Sequence, residues 1–465
     1  MLKKLGLAVV LALFAAALPD DAGAEFFGNA GVLPAGTEFG EEALERPREL
    51  FKSENTAGRK SYMVNLGDLA FSAPSLLGGA ARKAGMSCNT CHVNGAGNPR
   101  LFVPGLSLRS GTFDTTGALF NPKTDNGVLD PVTPPSLRGA RFLAPYGHDG
   151  RTASLRDFVR NVIVNEFSGA EPSPEVLDAV AAYIEDIDFL PNRRLGPGGK
   201  LTGRLSEGEK RGEALFYQPF THDPGLSCAG CHVPSSAFVD QRRHDVGSGG
   251  LFKTPTLLNA NFNAPYFHDG RYATYAEVVV HFDRIFYLGL SSQERQDLVA
   301  FLAAVGDAEE PFVADDVEAH VKEIGDFASV LDTAIPTRNA EIIALAADTV
   351  GGELRELAEH FPERKNTAVT GGIAERAAAR AALKQLVLDV RAIDAAACAG
   401  QFAEAAAAYA TFRAAFVAAL PLLKAAEPWS LFNPAIHDAH FAALRDLSRA
   451  AIDPKLAVQR RIDRD

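Results

Sequence analysis

Four of the five cysteines in this 465-residue sequence fall in two short runs, Cys88-Asn89-Thr90-Cys91-His92 and Cys228-Ala229-Gly230-Cys231-His232. Cys-x-x-Cys-His is the spacing that covalent attachment of a c-type haem requires. Two thiols one helical turn apart add across the two vinyl groups of one porphyrin edge, and the adjacent histidine is carried to the iron as proximal ligand. A lone Cys-x-x-Cys is equally a redox disulfide or half a zinc site. Two complete copies, each with its histidine, are not expected by chance. Cys88, Cys91, Cys228 and Cys231 are therefore expected to attach two covalently bound haem c groups, with His92 and His232 on the irons. Cys398 lies in an Ala-rich helical stretch and is expected to be a small buried hydrophobe.

The far side of each iron is less regular. Met1, Met63 and Met86 are the three methionines, and none follows a haem motif, which argues against high-potential His/Met centres. For the second haem the expected sixth ligand is His281; the alternative is that His281 faces solvent while Phe282 packs over the ring. No histidine lies between His92 and His148, so an open or water-bound face is expected on the first iron, where a small ligand could bind. His437 and His440, one turn apart, read as a surface helix before a metal pair.

A repeat positions these residues. Pro135-Ser136-Leu137, Phe142 and Ala144-Pro145-Tyr146-Gly147-His148-Asp149-Gly150-Arg151 recur as Pro255-Thr256-Leu257, Phe262 and Ala264-Pro265-Tyr266-Phe267-His268-Asp269-Gly270-Arg271, at an offset of 120 (268 minus 148). The haem motifs are 140 apart (228 minus 88), so the first copy carries a longer loop, placed between Val93 and Pro131 by its Gly, Asn and Pro content. Each copy closes with an amphipathic helix. Pro174 to Asp186 aligns Val176, Leu177, Val180, Tyr183 and Ile184, and Ser291 to Glu294 has capping-box spacing before the second. Ser206 to Glu209 caps the helix leading into the second motif in the same way.

The expected fold is mainly α: two tandem cytochrome c-type domains, 25–195 and 200–308, followed by a C-terminal helical bundle over 312–460. Residues 1–24 read as a signal peptide, with Lys3-Lys4, an apolar run from Leu5 to Leu18 and the small-residue site Ala22-Gly23-Ala24. Export to the periplasm fits thioether chemistry. No later segment is expected to span a bilayer, so the chain is not expected to cross the membrane once the signal is removed. A formal charge of -12 argues against nucleic acid and is compatible with a soluble protein partner.

At these motifs, over roughly Gly78 to Gly306, the sequence resembles the bacterial di-haem cytochrome c peroxidases and their MauG-type relatives. The resemblance is most specific at Thr254-Pro255-Thr256-Leu257 and Ala264 to Arg271, with Ala237-Phe238-Val239-Asp240 and His244-Asp245-Val246-Gly247 also similar. It implies that the first haem meets hydrogen peroxide or another oxidant. The second haem would relay electrons from a small electron-donor cytochrome c or cupredoxin. It also implies a calcium ion between the domains, held partly by carbonyls of Asn263 to Pro265. The chain departs from the family at two points: His148 stands where an inter-haem Trp is usual, and Phe282 stands where the sixth ligand, Met or Tyr, is usual. His148 and Glu166 are the residues this resemblance leaves for the catalytic side: the family's peroxide-pocket Gln and Glu align near Phe158 and Ser168, and Glu166 is the carboxylate beside them that could move a proton between the two oxygens. His148, like His268, reads alternatively as a structural or propionate-bonding histidine of the shared turn. A MauG-like oxidation of a protein or organic substrate, and electron transfer without peroxide chemistry, remain as alternatives.

Overall fold

The structure is a computed structural model that describes residues 32–40, 43–363 and 369–442; the signal-like segment 1–24 and the stretch 443–460 lie outside the described residues. The chain is mainly α-helical. Its regular elements are β1 (Glu45–Pro47), α1 (Tyr62–Phe71), α2 (Cys88–Cys91), α3 (Leu155–Asn161), α4 (Pro174–Asp186), α5 (Glu207–Tyr217), α6 (Cys228–Cys231), β2 (Arg243–His244), β3 (Phe252–Lys253), α7 (Tyr275–Ile285), α8 (Ser292–Val305), β4 (Phe312–Ala314), α9 (Val317–Ser329), α10 (Ala340–Glu359), α11 (Ile373–Cys398) and α12 (Phe402–Ala426), with short helical turns between them.

Hydroxyl caps start half of these helices. Ser61, Ser154, Ser173, Ser206, Thr274 and Ser291 each accept a hydrogen bond from the backbone N–H three residues on, satisfying a donor the helix leaves unpaired. At Ser206 and Ser291 the expected capping boxes are complete, with Glu209 and Glu294 returning the bond. In α4 the five residues expected on one face are all buried.

Three hydrophobic clusters form. One gathers Phe71, Leu101, Phe120, Val180 and Ile184 around the first motif, and a smaller one gathers Phe216, Phe238, Leu298 and Phe301 around the second. The third, in α9–α12, also takes in Leu66 and Leu69 of α1 and Ala179 of α4, so the C-terminal helices share a core with the first haem segment. Antiparallel pairing of β1 with β4 joins the same two parts.

The repeat extends to a helix crossing that the periodicity does not reveal. A Cβ on Gly67 of α1 would lie 2.0 Å from the Ala179 carbonyl oxygen and 2.7 Å from Tyr183 Cβ on α4. A Cβ on Gly212 of α5 would meet Asp297 O at 2.0 Å and Phe301 Cβ at 2.8 Å on α8. In both copies a glycine lets the helix before the haem motif touch the backbone of the closing helix.

One expectation is corrected. Cys398 is exposed, because it ends α11 with its Sγ 3.4 Å from Asp394 Oδ1. The helix Phe402–Trp429 is long and apolar enough, by length and composition, to cross a membrane, since its many alanines count as apolar. It packs along α11, and Val417 and Leu422 on its other side are exposed.

Candidate haem sites and the seam between them

In α2 and α6 each haem motif forms a single helical turn, which puts both cysteines of a pair on one side with the histidine at its end. Ser87 caps α2 in a reciprocal bond with Thr90. His92 Nδ1 lies 2.9 Å from the Pro135 carbonyl oxygen. Donating there leaves the lone pair on Nε2, the atom that would face iron. His232 Nδ1 lies 3.2 Å from Phe238 O, with the carbonyl of Pro255, the repeat equivalent of Pro135, also acting on it. Burial pushes His92 down to about 4 and lowers His232, so both rings are neutral, the form a metal takes. The donor sets therefore fit two haem c groups.

The repeated turns are alike in detail. Tyr146 OH and Tyr266 OH donate to the carbonyls of Ala140 (3.3 Å) and Ala260 (3.2 Å), and both Ala-Pro bonds, Ala144-Pro145 and Ala264-Pro265, are cis. The two turns meet at a seam. Thr133 N donates to His268 O (2.7 Å), and Arg109 Nη1 to Gly270 O (2.8 Å). Lys253 on β3 donates from its backbone to His148 O (2.9 Å) and from Nζ to Leu143 O (2.7 Å) and Pro145 O (2.9 Å). His148 lies inside this seam with Nε2 2.7 Å from Thr133 O, and burial holds its pKa down at about 4. His268 stacks on Phe252 at a centroid distance of 3.6 Å. A cavity of about 10 Å³ opens between Asn98, Pro99 and Thr133 on one side and Asn263 to Pro265 on the other. Asn263 Oδ1 is buried there with no hydrogen-bond partner. An orphaned oxygen beside a space of single-ion or single-water size fits a hard, oxygen-seeking cation.

Around the second motif, His281 is buried and both of its nitrogens are engaged. Nε2 lies 2.7 Å from the Val246 carbonyl oxygen, and Nδ1 lies 2.9 Å from Tyr272 OH. Since a carbonyl only accepts, Nε2 carries the proton and Nδ1 takes the tyrosyl hydrogen, leaving no lone pair for a metal. Phe267 packs against His281 and Phe282, with Phe286 stacked on Phe282, in an aromatic wall. In the first copy, Glu166 ends a π-helical turn (Val162–Glu166) that continues α3. Its Oε1 accepts from Arg151 Nη2 at 2.9 Å, and Arg151 also reaches Asp149 at 3.1 Å in the turn that carries His148. Arg151 thus links the two residues expected on the catalytic side.

Sequence reasoning missed Tyr272, Lys253 and Arg151. Tyr272 was within reach: the repeat pairs it with Thr152, so the copies differ where one has acquired a phenol. Among the described residues, two separated clusters of three metal-ligating side chains occur, Cys231–Asp240–His244 and Asp315–His320–His360. In the first, thioether formation would occupy Cys231, and Asp240 already accepts from His244 at 2.7 Å.

The comparisons agree with this geometry. The family model for di-haem cytochrome c peroxidase matches residues 206–344, which contain the second motif. Hydrazine synthase subunit gamma of Kuenenia stuttgartiensis is 26% identical over 328 residues, 57% of this chain and 83% of that protein. The methylamine utilization protein MauG of Methylorubrum extorquens is 27% identical over 300 residues, 51% of this chain and 76% of that protein. Cytochrome c peroxidase Ccp of Escherichia coli is 34% identical over 101 residues, and the match spans only 22% of that protein. Helical fold and paired motifs place the chain with the di-haem oxidoreductases at the level of similarity. Over the matched residues it is related to the di-haem cytochrome c peroxidase and MauG family.

Proposed function

We propose that this chain is an exported, periplasmic di-haem c-type oxidoreductase that reduces hydrogen peroxide with electrons from a small cytochrome c or cupredoxin. On this reading the first two hydrophobic clusters are cytochrome c-type domains, 25–195 and 200–308, and the helices from 312 form a bundle that does not cross the membrane. The supporting observation is the duplicated anchor, in which each motif histidine, at the end of its cysteine-bearing turn, gives Nδ1 to a backbone carbonyl and so keeps the lone pair on Nε2. Cys88 and Cys91 would hold one haem and Cys228 and Cys231 the other, with His92 and His232 on the irons. When bound, the haems supply the two electrons that peroxide reduction consumes.

The chain's own residues supply the rest. Glu166, oriented by Arg151, would shuttle a proton from the inner to the outer peroxide oxygen. His148 is a positioning residue: neutral and half-buried, it locks the two repeats at the seam where the family usually has Trp. His281 is assigned here as a support for Tyr272 and the Val246 loop, in place of the sixth-ligand role expected from sequence. Asn263, with neighbouring carbonyls, would hold calcium. The test is optical. A high-spin ferric band in the purified protein should shift on adding peroxide, and Glu166→Gln should lower kcat/KM for peroxide by about 10²–10⁴ with haem content unchanged. Two low-spin haems inert to peroxide would overturn the reading.

A second reading rests on the length of the matches. The two long alignments are to MauG and to a hydrazine synthase subunit, whereas the peroxidase match is short. On that reading the haem pair jointly oxidises a protein or organic substrate. With hydrogen peroxide supplied as the oxidant in both arms, turnover with a reduced donor cytochrome as the sole electron source supports the peroxidase reading; peroxide-dependent oxidation of an added protein or organic substrate without donor supports this one.

A further inference from the structure

The C-terminal helices hold a side-chain cluster that the haem chemistry does not use. Asp315 follows β4, His320 ends the first turn of α9, and His360 follows the last residue of α10. Asp315 is tied to the first haem segment, its backbone N–H donating to Leu44 O at 2.9 Å. His320 Nε2 lies 3.0 Å from Asp315 Oδ1, and His360 Nε2 lies 3.8 Å from Asp315 Oδ2. The three ligand atoms lie within 4.8 Å of one another. Ligands at about 2.0–2.1 Å from a tetrahedral zinc ion are separated by roughly 3.3 Å, a spacing these two distances bracket.

Two further observations point to a ligand. His320 is 5% exposed, and beyond its contact with the Asp315 carboxylate its buried Nε2 has no hydrogen-bond partner. His360 Nδ1 lies 3.1 Å from the Glu356 carbonyl oxygen, the outer bond that metal-binding histidines commonly make to fix the tautomer that presents Nε2. Phe432 stacks on the His360 ring at 4.4 Å and holds it in place. Asp315 and Phe432 also line a cavity of about 880 Å³, which gives an ion a way in and leaves room for a water as fourth ligand. Arg46 stands 3.6 Å from Asp315, but its charge is met by Glu323 at 2.7 Å.

We infer that Asp315, His320 and His360 form a zinc-type divalent-cation site that fastens the β1–β4 ribbon to the C-terminal helices. Two imidazoles and one carboxylate select a borderline first-row ion over calcium or magnesium. Nothing in the inference depends on which reaction the haems perform.

The test is metal content. The haem-loaded full chain is incubated with zinc chloride, gel-filtered and assayed by plasma mass spectrometry for zinc and iron. One zinc beside two irons is expected, with a rise in thermal midpoint that EDTA reverses. His320→Ala and Asp315→Asn should lose the zinc while keeping both irons. Zinc K-edge absorption on the unmutated chain gives an answer that does not depend on variant folding: a nitrogen/oxygen shell with imidazole scattering is expected. Absence of retained zinc, a sulfur shell, or zinc retained by both variants would overturn the site.

Discussion

At the scale of single residues, what a side chain can do is decided by which of its atoms are already committed. His92 and His281 are both histidines close to a haem motif or its repeat, yet they are opposite cases. His92 commits Nδ1 to a carbonyl and keeps a lone pair at Nε2, while His281 donates from Nε2 to Val246 and accepts at Nδ1 from Tyr272. Replacing His281 by Ala should therefore leave the spin state of the second haem as it is in the unmutated protein, measured by electron paramagnetic resonance. Stability should nonetheless fall, by about 1–3 kcal/mol, because the Val246 carbonyl and the Tyr272 hydroxyl lose their partner in a buried site. Tyr272→Phe removes only one of those bonds and should cost about 1 kcal/mol. Conversion of a low-spin centre to high-spin in His281→Ala would restore that ring as an iron ligand.

At the scale of elements, the repeat is built on two helix crossings made possible by glycine. Gly67 and Gly212 have no space for a methyl group, since backbone carbonyl carbon and oxygen on the facing helix occupy it. Gly212→Ala should force α5 away from α8 and destabilise by about 1–3 kcal/mol, despite the better helix propensity of alanine. Gly352→Ala in α10 meets only Arg355 Nη2 at 3.9 Å and should be neutral or stabilising by up to about 1 kcal/mol. Thermal unfolding of the two variants side by side checks the contrast, and equal effects would remove the crossing argument. These crossings mark the limit of the sequence. The cysteine runs, the repeated Ala-Pro turns and the capping boxes could be read directly, because each is a local pattern whose chemistry depends on neighbours in the chain. Gly67 and Gly212 look like ordinary helix glycines until the partner helix is placed. His320 and His360 are likewise 40 positions apart (360 minus 320), and only the packing of α9 on α10 brings them together. The resemblance points to His281, beside Phe282, as a ligand because alignment gives a position but not the ring's hydrogen-bond partners.

At the scale of the whole molecule, the seam between the repeats makes the protein sensitive to acid. His148 is half-buried in it, and its folded-state pKa lies near 4: the loss of water around the ring disfavours its charged form, outweighing the Thr133 carbonyl, and His268, Lys253 and Arg151 repel it further. An unfolded chain would protonate the same ring near 6.5. Between those values the unfolded state binds more protons, so stability is fully present above about pH 6.5 and is lost as pH falls toward 4. From pH 7 to pH 5 this one group should withdraw on the order of 1–2 kcal/mol. His148→Gln keeps a donor for the Thr133 carbonyl and has nothing to titrate. Its thermal midpoint should therefore fall less than that of the unmutated protein over the same interval, and the gap should close above pH 7. The loss should appear first where the two repeats meet, as faster amide exchange at Thr133 and Lys253, whose N–H groups cross the seam to His268 and His148. If both proteins lose midpoint in parallel, the acid-sensitive groups lie elsewhere and His148 is not the residue through which pH reaches the seam.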